Sequence, residues 1–505
     1  MQHLHPSAEE RKLNKLIVHT LKKACFITCL FLCPTLYSNA QDWKFDASTQ
    51  QAYDLVLNLQ LQEAQQLIPQ PKSVQELYVM SLAEALELLI TEDKEKFNEY
   101  EDRFEKRLER KIRANNAEDI FIQAEMRLQW AFVYLKFGHE FDAALNLKQS
   151  YSAVQEIKKR FPAFKAIQKS SGILEIIIGS IPEKYDWVLS LMGIKGSIDQ
   201  GLLELNTIRK SESPLSLEAD LLYVLVQGFV LQQTEDASKE MQSVLTRNPD
   251  SRLALFLGAS ISIKNSESEK ALKMIITLED HKTGLPLYYA QYLKGEVYLQ
   301  KADYINSIAM YRWFINHYAG ENYVKDAHYK IALCYWLNGN SNDAMHNFDE
   351  AKTIGKEATE ADKYAARSLA ENELPHVKLT KARYFTDGGY YEDAYEVLEN
   401  ISPQERATKR DQAEFPYRMA RLYHKQNKLQ DAKLYYEQSI QITGDQPWYF
   451  APNSCLQLGY IAMEEGDKKT AKLYFDQALT YKKHEYKNSI DSKAKSALAQ
   501  LSERK

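Results

Sequence analysis

PLYYAQYLKGEVYLQKADYINSIAMYRWFINH, residues 286–317, decides the fold, because YVKDAHYKIALCYWLNGNSNDAMHNFDEAKTI, residues 323–354, repeats its pattern at a shift of 37. Gly295, Tyr298, Ser307 and Tyr311 align with Ala332, Tyr335, Ala344 and Phe348. Three further copies follow: Ala382, Phe385, Ala394 and Leu398; Ala420, Tyr423, Ala432 and Tyr436; Leu458, Gly459, Ala471 and Phe475. Apolar residues within each copy recur at helical spacing, which predicts pairs of helices. A small residue in each helix lets its partner approach closely, and an aromatic plugs the gap between hairpins.

Working outward, Trp130, Ala131, Tyr134, Gly138, Phe141, Ala143 and Leu147 fit the same repeat once more. Leu231 to Pro249 ends in an Asn-Pro break, and Leu257-Gly258 opens another hairpin. Asp93 to Arg113 is rich in charge, with Phe97, Tyr100, Phe104 and Leu108 at helical spacing, and reads as a long surface helix. No Gly/Ser linker or low-complexity tract interrupts the chain after residue 40, so one continuous array is expected. The fold expected is all-α, a helical-hairpin solenoid with less regular hairpins over 41–285 and a regular array with a capping helix over 286–505.

The repeat resembles the tetratricopeptide repeat, which implies a right-handed superhelix. Three other segments are similar to the tetratricopeptide repeat protein 39 family, which includes the fungal inclusion-body clearance proteins. They are Leu59 to Leu89, the stretch from Gly172 to Leu205 with Pro182, Gly193, Gly196, Gly201, Leu202 and Leu205, and an enlarged connection through Lys356, Lys363, Tyr364 and Arg367. Ser197-Ile198 stands where that family has Asp-Arg. The family's link to lipid and inclusion handling implies a lipid or partner contact for the apolar hairpin from Ile173 to Leu191; its composition alone reads as buried core.

Within 505 residues, 45% are apolar and 26% charged, with 18 Gly and 14 Pro, which excludes disordered and collagen-like classes. A net charge of −5 gives no global basic field, so no nucleic-acid partner is expected. Residues 1–40 read as an export signal: Arg11, Lys12, Lys15, Lys22 and Lys23 precede an apolar run from Ala24 to Leu36, and Ser38-Asn39-Ala40 offers a cleavage site. The run is too short to span a bilayer, and no transmembrane span is expected beyond it. Export to the periplasm or envelope, with cleavage after Ala40, is the expectation; a lipoprotein anchored through Cys33 is the alternative. Cys25, Cys29 and Cys33 lie in that segment, which leaves Cys334 and Cys455 as buried free thiols and no disulfide framework.

Motifs for chemistry are absent. No phosphate loop, dinucleotide fingerprint or His-Glu-x-x-His occurs, and the histidines show no paired ligand spacing, so neither cofactor nor metal is expected. A binding surface remains. If the first helix of each pair lines the concave face, its inward offsets present Tyr289, Tyr292, Tyr329, Trp336, Tyr417 and Tyr460 with Arg383, Arg421, His424 and Lys425. Rings supply rigid contact area and Arg forked donors, which suits a protein segment carrying acidic residues. Oligomeric state is not legible. The function expected is a non-enzymatic scaffold binding a partner in this groove; a carbohydrate- or lipid-binding solenoid, or a helical enzyme with an unrecognised site, is the alternative.

Overall fold

The computed structural model describes residues 43–109, 116–180 and 194–503. The export segment, and Pro182 and Gly193 of the apolar hairpin, lie outside them. Among the described residues there are 24 α-helices and no strand, so the chain is all-α.

The N-terminal part comprises α1 (Ala47–Leu57), α2 (Leu61–Leu67), α3 (Val74–Thr91), α4 (Lys94–Glu109), α5 (Ala117–Lys136), α6 (Glu140–Arg160), α7 (Ile167–Gly179) and α8 (Ile198–Arg209). It continues with α9 (Ser216–Leu225), α10 (Thr234–Arg247), α11 (Arg252–Lys264) and α12 (Ser268–Asp280). A single π-helical turn, Val226–Val230, separates α9 from α10. Of the surface helix expected over Asp93 to Arg113, α4 covers Lys94–Glu109 and buries Phe97, Tyr100 and Phe104, while 110–113 lie outside the described residues.

The regular array consists of α13 (Tyr288–Gln300), α14 (Tyr304–His317), α15 (Val324–Leu337), α16 (Ser341–Thr353), α17 (Glu360–Ala370), α18 (Val377–Gly388) and α19 (Tyr391–Glu399). It is completed by α20 (Lys409–Lys425), α21 (Leu429–Thr443), α22 (Phe450–Glu464), α23 (Lys468–Thr480) and the terminal α24 (Lys487–Glu503). The enlarged connection is α17, an extra helix opened by a capping box of Thr359 and Asp362.

Packing inside each hairpin follows from the small residues. A Cβ on Gly295 would lie 2.8 Å from the Tyr311 ring, and one on Gly459 would lie 2.5 Å from the Phe475 ring. Ala344, Ala394, Ala432 and Ala471 are fully buried where the second helix meets the first. The Ser307 hydroxyl, at the equivalent position, donates to the Gly295 carbonyl at 2.9 Å. Ala302, Gly339, Gly389, Asn427 and Gly466 close successive hairpin turns in the left-handed region. Only glycine enters that region without steric cost.

The array coils back on itself. Leu285 N–H donates to the Leu59 carbonyl at 2.7 Å, and Arg252 Nη2 donates to the Leu285 carbonyl at 2.8 Å. Gly389 lies against the Ser266 carbonyl so closely that a Cβ would come within 2.2 Å of the oxygen. The Tyr390 hydroxyl donates to Glu269 at 2.7 Å. One buried apolar cluster runs from Trp43 to Tyr384, across the 285/286 junction, and three smaller ones hold the hairpins beyond it. No helix among the described residues is long and apolar enough to cross a membrane.

Candidate functional site

The first helices of the array place the ten groove residues differently from the expectation. Tyr292, Tyr329 and Tyr417 are 2–3% exposed and belong to the core. The Tyr292 hydroxyl donates to Asp326 at 2.6 Å and accepts from Lys330 Nζ at 2.9 Å, with Glu296 also on that amine at 2.6 Å. Tyr329 packs on Phe348 and Tyr364, and Tyr417 packs on Tyr449 and Phe450. Helical offset alone does not separate a groove-facing residue from one facing the adjacent hairpin, since both sit about 100° apart on a narrow cylinder. Tyr289 is half-buried and stacks on Tyr292 with centroids 5.1 Å apart. Trp336 is half-buried with its Nε1 donating to the Pro375 carbonyl at 2.8 Å. Tyr460 meets Phe475 edge-on within its own hairpin, apart from the rest.

The basic members do come together. α18 and α20 lie side by side, so Arg421 Nη2 reaches Asp387 Oδ1 at 3.3 Å while Arg383 Nε stands 3.7 Å from the other oxygen. Arg383 also donates to the Tyr364 hydroxyl at 2.9 Å. His424 Nδ1 is 3.2 Å from the Tyr436 hydroxyl. Burial, reinforced by Arg421 and Lys425, pushes the imidazole down to about 4, so it is neutral at physiological pH. Lys425 is lowered by burial and by Arg421.

Four participants were not foreseen. Arg418, 8% exposed, holds Glu414 through two N–H donors at 2.9 and 2.5 Å and donates to the Tyr449 hydroxyl at 3.0 Å. It stands three residues before Arg421 and seven before Lys425, a one-face spacing that could have exposed it. Asp387 lies four residues after Arg383, the same kind of signal. Lys264 at the end of α11 and Lys493 in α24 carry no local signal. Lys264 is depressed to about 8 by burial and by Lys493, and Lys493 is itself lowered by burial and by Arg421.

Such a constellation can bind anions. Cys334 and Cys455 are buried, with thiols pushed up to about 12 by burial, which leaves them unsuited to nucleophilic work. No group of three or more metal-ligating side chains occurs among the described residues. An open depression between α5 and α6, lined by Arg127, Lys148, Gln149 and Glu156 among others, is of mixed charge.

A family model for the tetratricopeptide repeat matches residues 413–446 and 452–485, which are the α20–α21 and α22–α23 hairpins. The chain carries tetratricopeptide repeats. No curated protein matches it. Among solved structures, the human IFIT1 dimer with PPP-AAAA is 14% identical, covering 86% of this chain and 95% of that one at a TM-score of 0.32. A chain of the APC/C hetero-tetramer Cut9-Hcn1 is 11% identical, covering 90% and 96% at a TM-score of 0.28.

Proposed function

We propose that this chain is a non-enzymatic, exported scaffold that binds an acidic segment of a partner protein against the inner face formed by α18 and α20. The observation that carries this reading is the gathering of Arg383, Arg421 and Lys425 around the single carboxylate of Asp387, which leaves positive charge to spare. Carboxylates of a bound segment would complete that pairing, with Arg supplying charge-assisted bonds. Burial of Tyr292, Tyr329 and Tyr417 removes half of the six rings on which a sugar could have stacked, which favours a peptide over a glycan. The likeness to the tetratricopeptide repeat protein 39 family is compatible with such a binding role.

A fluorescein-labelled peptide alternating Glu with Leu and Phe tests the reading by anisotropy. Saturable binding that weakens as salt is raised, and that Arg421→Glu with Lys425→Glu abolishes, is expected. Absence of binding, or binding indifferent to that double reversal, overturns it. Protein recovered from its native cell should begin at Gln41, and an intact Met1 end would refute export.

A further inference from the structure

The α11–α12 turn and the α18–α19 turn touch, although the bonded pair Glu269 and Tyr390 is 121 residues apart in sequence. Gly389 abuts the Ser266 carbonyl, and Tyr390 is bonded to Glu269. This contact sets the end of α11, where Lys264 stands, beside the stretch of α18 that carries Asp387 and through it Arg421. α24 packs back on α22 and α23, and its Lys493 acts electrostatically on Lys264 on one side while Arg421 acts on Lys493 on the other. Tyr486, just ahead of α24, fixes that helix's entry by stacking on Tyr364 and meeting Tyr449 edge-on.

The charges do not balance. Lys264, Arg383, Arg418, Arg421, Lys425 and Lys493 are six cations. The carboxylates that face them among the described residues are Asp387, Glu414 and Glu267. Asp387 is shared between two arginines, Glu414 is held by Arg418, and Glu267 is already paired with Lys270 at 3.5 Å and accepts from the Ser238 hydroxyl. Lys264, with its amine 4.8 Å from the centre of the Phe229 ring, has no ion pair there. Half-buried cations that repel one another cost folding energy unless an anion completes them.

We infer that Lys264, Arg421, Lys425 and Lys493, drawn from α11, α20 and α24, form one anion site within the coil that grips several carboxylates of an acidic segment at once. This rests on the peptide-scaffold reading and extends it. Because the site is assembled from both ends of the chain, its ligand is held by the coiled form rather than by any one repeat. Three uncompensated charges fit a run of adjacent Asp or Glu residues better than a lone carboxylate.

Octaglutamate labelled with fluorescein is the probe. Lys264→Ala and Lys493→Ala should each weaken it about tenfold, the loss expected of one charge-assisted bond. The control Lys239→Ala, at an exposed pair with Glu235, should leave it unchanged. Should either variant fail to fold, wild-type protein decides the matter by acetylation in limiting acetic anhydride. Octaglutamate should then protect Lys264, Lys425 and Lys493 and spare the reactivity of Lys239. Wild-type affinity in both lysine variants, with loss in Arg421→Ala, overturns this site and leaves the scaffold reading standing. No binding of either acidic peptide to wild type overturns both. Octathymidylate binding in place of octaglutamate, lost in Lys264→Ala, overturns the carboxylate ligand.

Discussion

Ala432 has no exposed surface and lies where α21 meets α20, with Tyr436 and Ala420 in the same buried cluster. Three extra carbons have nowhere to go there, so Ala432→Leu should cost about 1–3 kcal/mol and lower the melting temperature clearly. Lys433 beside it is paired with Glu465 at 2.7 Å at the surface, and its loss should cost at most about 1 kcal/mol. Equal shifts in calorimetry would show that the repeat register is wrong. His424 makes a different demand. Its imidazole takes a proton near pH 6.5 in the unfolded chain and only near 4 in the fold, because burial, Arg421 and Lys425 oppose the charge. Between those values the unfolded state binds more protons, so stability falls as pH drops from 6.5 towards 4, by up to about 3 kcal/mol, and is unaffected above. His424→Gln should flatten that slope in melting curves taken across the range; an unchanged slope would place the imidazole in water.

At the scale of elements, the least replaceable contact is the one that ties α7 to three others. Lys169, 2% exposed, donates to Glu125 of α5 at 2.8 Å, to Glu218 of α9 at 2.6 Å and to the Tyr78 hydroxyl of α3 at 2.8 Å. Tyr53 of α1 donates to Glu218 at 2.9 Å. Removing the amine strands two carboxylates in the interior, so Lys169→Met should cost about 3–5 kcal/mol. Chemical denaturation reads this directly, and a loss below about 1 kcal/mol would mean that water reaches the cluster. The same network sets an alkaline limit. Burial opposes the charge on Lys169, but Glu125 and Glu218 outweigh it and hold its pKa above the usual value, while burial and Glu218 raise Tyr53 and Tyr78. All three are protonated in the fold after the unfolded chain has begun to lose those protons. Their contribution is therefore complete below about pH 10 and lost above it. A melting temperature that holds steady from about pH 9 to 11 would contradict the arrangement.

Across the whole molecule the cores are unequal. The cluster from Trp43 to Tyr384 joins every element of the N-terminal part to α13 through α18, whereas the hairpins beyond depend on three small clusters in series. A stack that buries surface only against its neighbours unravels from its end. Hydrogen exchange in increasing urea should open 468–503 first, then 409–464, with α3, α5 and α7 last. One concerted opening of all amides would refute the division. Octaglutamate, if bridged by Lys264, Arg421 and Lys493, should delay the first of these events, because it links α24 to α11.

Helical pairing was legible from residues because it is local. Gly295 and Tyr311, or Ala420 and Tyr436, state by size and spacing alone that two helices meet, and the 50-residue interval around Tyr364 announced an insertion that proved to be α17. Which face each first helix turns inward was only partly legible. Arg383 and Arg421 lie together around Asp387 with Lys425 beside them, but Tyr292, Tyr329 and Tyr417 went to the core. A phenol is as content between hairpins, given a partner such as Asp326 for Tyr292, as it is in a groove. The rest belongs to tertiary structure alone. Lys264 and Lys493 are 229 positions apart and unremarkable in their own helices. They act on one another electrostatically because the coil brings the Ser266 turn against Gly389 and because α24 folds back on α22 and α23, and no local pattern encodes the sum of many small rotations between hairpins.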